Sequence, residues 1–177
     1  MDYVKPVDVA AAMVDTGRHK LGLSIGNLFV RGALAGSILG AATSLAFTGA
    51  LQTGVPLVGA LIFPVGLCII ILLGLDLVTG SFGLLPVPII ENEGDARTML
   101  TNWAAVFLGN LVGSMLYGAL LAIALTNFGA TAPTGVAAQI IAVAQAKTTG
   151  YEALGFAGMV TVFVKAILCN WMVCLAI

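Results

Sequence analysis

The chain has 177 residues, 60% of them hydrophobic and 8% charged, with a formal net charge of −1. Soluble domains carry about a quarter charged residues, so a mean hydropathy of +1.09 excludes an ordinary soluble domain and sets the chain in a lipid bilayer as an all-α polytopic membrane protein. There is no basic tract to hold nucleic acid, and the near-neutral balance favours neither a strongly acidic nor a strongly basic partner.

Residues 2–28 mix Asp2, Lys5, Asp8, Asp15, Arg18, His19 and Lys20 with Val, Ala, Met and Leu at roughly helical spacing. This predicts an amphipathic helix at the membrane surface. Its scattered charges, with no short apolar core and no small-residue cleavage site, set it apart from a cleaved signal peptide. His19, the single histidine, lies outside every apolar run and reads as a solvated residue rather than a proton handler. The first span is expected over residues 29–51. Within it Gly32, Gly36 and Gly40 recur every four residues beside Ala33, Ser37 and Ala41, the pattern by which helices approach closely in lipid. It serves either packing within the chain or association between chains.

Residues 56–90 read PLVGALIFPVGLCIIILLGLDLVTGSFGLLPVPII, with Asp76 as the one formal charge. As a single helix this run would be roughly 50 Å long, well beyond the ~30 Å hydrocarbon core. The second span must therefore break, and residues 75–83, with a carboxylate, two hydroxyls and two glycines, are the expected place. Irregular backbone at membrane depth persists only where protein or a water-filled cavity satisfies its N–H and C=O groups, so the break predicts a pathway.

A polar loop, residues 91–97, leads to a third span expected over residues 99–125, with the spaced pair Gly109 and Gly113 and the polar side chains of Asn102, Trp103 and Asn110. Residues 126–150, poor in charge, are expected as an outer loop, and a last apolar run covers residues 151–177. Cys68, Cys169 and Cys174 all lie in apolar runs with no histidine beside them, which predicts inert thiols, no metal site and no cofactor. Lys5, Arg18, Lys20, Arg31 and Arg97 outweigh Lys147, a bias that puts the N-terminus and the 86–98 loop in the cytoplasm. Phe29-Val30-Arg31-Gly32-Ala33-Leu34 is echoed by Phe163-Val164-Lys165-Ala166-Ile167-Leu168, as in inverted-repeat transporters. If Lys165 marks a membrane boundary as Arg31 does, about 13 residues follow it, roughly 20 Å of helix, and a longer polypeptide is expected.

Four blocks carry a resemblance to the formate/nitrite transporter family. They are Val30-Arg31-Gly32-Ala33-Leu34-Ala35-Gly36, Asp76-Leu77-Val78-Thr79-Gly80, Asn102-Trp103 with Gly109-Asn110-Leu111-Val112-Gly113, and the most specific, Lys165-Ala166-Ile167-Leu168-Cys169-Asn170-Trp171-Met172-Val173-Cys174-Leu175-Ala176. The resemblance implies an aquaporin-like bundle of two inverted three-helix repeats with a broken second helix, assembled as homopentamers with a pore in each protomer. About four of its six helices would be present: the first repeat over residues 29–125 and the start of the second over 151–177. It further implies a channel or transporter for small monovalent anions, formate or nitrite, in some members proton-linked, in an inner membrane. By the same resemblance Phe63 falls on the aromatic of the outer constriction, and Leu67, Leu77, Val78 and Val173 on the apolar inner constriction. Thr79 matches a threonine that hydrogen-bonds the family's pore histidine, and Asn170 an asparagine beside the pore. The sequence departs from the family in having Val78 where many members carry Phe. It also has no histidine beyond His19, so the fifth helix and its histidine lie outside it, and the chain is expected not to close a pore alone.

The residues themselves leave several roles open. The Thr79 hydroxyl either faces a permeating ion or caps the half-helix that follows. Asp76 reads as structural, accepting N–H bonds or pairing with a cation, against a proton relay; Gly80 belongs to the same loop. Lys165 either gathers anions at the outer mouth or snorkels to the interface. Without the resemblance, Phe63, Leu67, Leu77 and Val78 are ordinary packing residues. A neutral-solute pore is the rival function, weakened by the absence of paired Asn-Pro-Ala motifs, and a fragment or assembly protein without transport activity is another. An intramembrane enzyme would need paired carboxylates, a Ser/His couple or His ligands at membrane depth, and the sequence has none of these.

Overall fold

The structure is a computed structural model that describes residues 4–176; Asp2 and Ile177 of the terminal segments discussed above lie outside them. Ten helices account for most of the described chain: α1 (Pro6–Leu21), α2 (Ile25–Thr53), α3 (Pro56–Ile62), α4 (Pro64–Leu72), α5 (Val78–Leu84), α6 (Pro86–Ile90), α7 (Ala96–Thr126), α8 (Gly135–Lys147), α9 (Thr149–Glu152) and α10 (Gly155–Leu175). Three of them, α2, α7 and α10, are long and apolar enough to cross a membrane.

Local chemistry sets the boundaries. Pro6 opens α1, where its missing N–H costs nothing, and Arg18, His19 and Lys20 occupy the last turn, complementing the negative end of the helix dipole. Ser24 caps α2 by accepting from the Asn27 N–H, and the helix stops at Gly54 in the left-handed region (φ 68°). At 29 residues α2 is about 44 Å long, so it must tilt or project from the hydrocarbon. Asp95 caps α7, accepting from the N–H groups of Arg97 (3.1 Å) and Thr98 (2.9 Å). The Thr98 hydroxyl and these N–H groups hold the Asp95 carboxyl below its ordinary pKa. In front of it, Arg18 pairs with Glu93, fastening α1 to the α6–α7 loop and raising the guanidinium pKa.

The glycines of α2 and α7 serve packing inside the chain. A Cβ on Gly32 would meet the Val106 carbonyl, one on Gly36 the backbone of Asn110, and one on Gly113 the backbone of Ala33. The backbones therefore touch along a crossing that side chains would hold apart. Hydroxyls tie the same seam: Ser37 Oγ donates to the Gly113 carbonyl (3.0 Å) and Ser114 Oγ to the Gly36 carbonyl (3.2 Å), while Ser44 and the Tyr117 hydroxyl lie 2.8 Å apart.

Two expectations need correction. Residues 126–150 are not a loop throughout: α8 fills Gly135–Lys147, a 13-residue Ala- and Gln-rich helix too short to span, with Ala137 buried. The interruption of the second span also coincides with residues 75–83 only in part, at Leu75, Asp76 and Leu77. It begins at Leu73–Gly74, and Val78–Leu84 are helical again as α5. The span is further divided at Pro64 and Pro86, each of which opens a new helix.

Candidate functional site

The break is built from hydrogen bonds that the sequence supplies on both sides. Gly74 takes φ 63°, its N–H bonds back to the Ile71 carbonyl (3.0 Å), and the Leu75 N–H reaches the Ile70 carbonyl (3.0 Å). This is a Schellman stop, and only glycine takes that conformation without strain. Leu75, Asp76 and Leu77 then run without regular structure, and Leu77 is extended (φ −106°, ψ 134°) before α5 begins.

Two backbone groups at this gap are met by α7. Asn110 Oδ1 accepts from the Val78 N–H (2.9 Å), and Asn110 Nδ2 donates to the Asp76 carbonyl (2.9 Å) and to the Gly32 carbonyl of α2 (2.8 Å). Two neighbours extend the hold. Asn102 Nδ2 donates to the Lys20 carbonyl (3.1 Å), and the Trp103 indole N–H to the Ser81 carbonyl (3.1 Å), with its ring edge-on to Phe82 at 4.9 Å between centroids. Trp103 is thus a packing residue between α5 and α7.

Asp76 is 1% exposed and sits between two cations. Lys20 of α1 pairs with one carboxylate oxygen, and Arg31 Nη1 of α2 lies 3.6 Å from the other. A carboxylate removed from water in this way relies on the two cations to replace its hydration, since Oδ1 accepts from Lys20 while Oδ2 has no hydrogen-bond partner and only the Arg31 guanidinium nearby. Two positive charges around one negative leave the group net cationic, so the carboxylate does not present an anionic wall.

The residues singled out by sequence fall into separate places. Leu67, Leu77 and Gly80 line one cleft of 330 Å³, closed on one side by α1 through Val9, Met13 and Lys20. Phe63, at the α3–α4 junction and 40% exposed, lines another cleft of 480 Å³, with Thr43, Phe47 and Lys147. Thr79, Asn170 and Cys174 form a third group: Asn170 Nδ2 donates to Cys174 Sγ (3.5 Å), and that thiol donates to the Thr79 carbonyl (3.2 Å), joining α10 to α5. Val173 is half-buried beside them. Thr79 lies in the first turn of α5 instead of in irregular backbone, and no side chain caps that helix. Val78 packs against Leu28, Ala105 and Val106, on the α2–α7 side. Lys165 lines neither cleft; its Nζ donates to the Tyr151 hydroxyl (2.9 Å) and sits 5.2 Å from that ring's centroid. The sequence reading used Lys20 and Lys147 only to set orientation and Asn110 only as part of a family block, and gave none of the three a place in the site. Of these, Asn110 carried a signal, as an amide inside an apolar span.

Among the described residues no group of His, Cys, Asp and Glu is arranged to hold a metal ion. What the arrangement offers is a bundle with three helices of membrane-spanning length, a further apolar run broken between α4 and α5, and polar backbone held beside a cleft. The family model for formate/nitrite transporters matches residues 7–177, and the chain belongs to that family. It is 32% identical over 187 residues to the uncharacterized transporter YrhG of Bacillus subtilis, covering 100% of this chain and 65% of that one. It is 30% identical to the probable formate transporter of Methanothermobacter thermautotrophicus, covering 99% of this chain and 68% of the relative. With the nitrite transporter NirC of Escherichia coli it shares 33% over 153 residues, 84% of this chain and 53% of that one. The chain thus spans about two thirds of the length of the first two relatives.

Proposed function

We propose that the chain contributes to a path for small monovalent anions, formate or nitrite, across a cytoplasmic membrane with its N-terminus inside. The observation that carries this reading is the interrupted second span, whose backbone groups are met by Asn110 beside a cleft that Lys20 lines. An anion entering lipid loses its hydration, and a path lowers that barrier with a nearby cation, oriented donors, or protonation of the anion. Lys20 lines the cleft of Leu67 and Leu77 and Lys147 lines that of Phe63, so each end of α4 has an ammonium near it. Between them Leu67 and Leu77 form an apolar barrier that a hydrated ion cannot pass, which suits a small anion that sheds water or crosses as the neutral acid. Thr79 and Asn170 supply uncharged donors, and Val78, Val173 and Phe63 the rest of the apolar constrictions. Asp76 serves the loop, Gly80 lines the cleft from α5, and Lys165 serves the outer surface.

The relatives named for formate or nitrite transport support the substrate class, and the family resemblance supports an aquaporin-like inverted repeat assembled as pentamers, with proton linkage as a further element. In this scheme residues 29–125 are the first repeat and 151–177 begin the second. The test is flux. Liposomes carrying the native gene product take up formate or nitrite down an imposed gradient and leave glycerol outside. Glycerol entry without flux of either anion overturns the reading in favour of a neutral-solute pore.

A further inference from the structure

Asn110 makes three hydrogen bonds with one carboxamide, and two of them fall on the peptide units either side of Leu77: the carbonyl of Asp76 and the N–H of Val78. In an extended residue these two groups point the same way, so the amide engages Leu77 as a neighbouring strand would. The third bond, to the Gly32 carbonyl, fixes the amide to α2. Both donor hydrogens of Nδ2 are then used, one on each carbonyl, which leaves the side chain a single orientation. That orientation depends on the glycine seam: Gly109, the residue before Asn110, lies where a Cβ would strike the Phe29 carbonyl, and Gly36 packs on the Asn110 backbone itself.

Leu77 is the residue the arrangement positions. It is buried, it packs with Ala35 and Ile70, and it lines the cleft that residues of α1 also line. No regular helix sets its place, because α4 ends before it and α5 begins after it.

We propose that Asn110 is a positioning residue that sets how far Leu77 projects into the cleft and so sets the size limit of the path. This rests on the reading of Leu77 as part of an apolar constriction for small anions. Asn110 touches no permeating ion itself; it acts through the backbone on either side of Leu77.

The experiment compares Asn110→Ala with the native gene product in liposomes, measuring initial uptake of formate and of acetate, which is larger by a methyl group. With the amide gone, Leu77 is no longer held, and the formate-to-acetate ratio falls by about threefold or more, a part of the ~10–200-fold that one methylene commands in an apolar site. A purely structural role would reduce the amount of assembled protein and lower both fluxes together, leaving the ratio unchanged; that result overturns the proposal. If Asn110→Ala does not assemble, Asn110→Ser is measured in its place, and failure of both assigns the amide to folding alone and equally overturns it. Failure of the underlying reading looks different, since the native protein then carries neither anion.

Discussion

The α2–α7 pair and α10 are built from similar apolar residues and end in different circumstances. In the most apolar stretch of α2, 22% of residues are buried within the chain; in that of α10 the figure is 6%. Lipid covers an exposed leucine as readily as protein does, so apolarity does not decide which helices join. Close approach and hydrogen bonding decide it. The α2–α7 seam has glycines facing backbone and serines donating to carbonyls across it, whereas α10 meets α5 through Cys174 against Gly83 and the Thr79 carbonyl. Shape and polar contacts define the first interface, and a single weak donor marks the second.

The strongest way to break this contrast is Gly113→Leu. Its side chain would have to occupy the place of the Ala33 backbone, which cannot move as a flexible side chain could. Because the obstacle is backbone, the expected loss goes well beyond the ~1–3 kcal/mol usual for an overpacked core and is read as a collapse in assembled yield or in resistance to denaturant in detergent. Retention of native stability would show that the seam does not hold the bundle.

Next in size is the charge group. Asp76→Leu leaves Lys20, itself largely buried, without its carboxylate, and the expected cost is about 3–5 kcal/mol. Adding Lys20→Met should recover at least half of that, although Arg31 remains. A double-mutant cycle measures the recovery, and simple addition of the two losses would show that Lys20 and Asp76 do not act as a pair.

Cys174→Ala should do least. It removes one thiol hydrogen bond at 3.2 Å, and the expected change in melting temperature corresponds to less than about 1 kcal/mol. A loss as large as that of Gly113→Leu would mean that α10 is bound far more specifically than its burial indicates.

Much of the fold could be read from the residues because membrane helices announce themselves by length and apolarity. The three spanning helices fall where the apolar runs lie, and the glycine periodicity of Gly32, Gly36 and Gly40 pointed to a close-packed face. The break was misplaced by a few residues for a definite reason. Polar side chains drew attention to residues 75–83, yet the helix is stopped by Gly74, through its backbone conformation. Gly80 and Gly83, which suggested irregular backbone, instead lie in α5, with Gly83 facing Cys174 and Gly80 lining the cleft. Helix α8 was missed because neither span length nor a clear apolar face marks it. For the candidate site, a cation beside Asp76 could be anticipated, since a lone carboxylate in an apolar run needs one. That Lys20 would provide it could not, because the pair is made by folding and no periodicity links the two positions.

That pairing constrains the order in which the molecule is made. A ribosome delivers Lys20 before its partner, which follows 56 residues later. The Lys20–Asp76 contact therefore forms only after α2, α3 and α4 have been synthesised. This contact ties the seating of α1 to residues made well after it, the Asp76 segment and the α5, α6 and α7 helices it also meets.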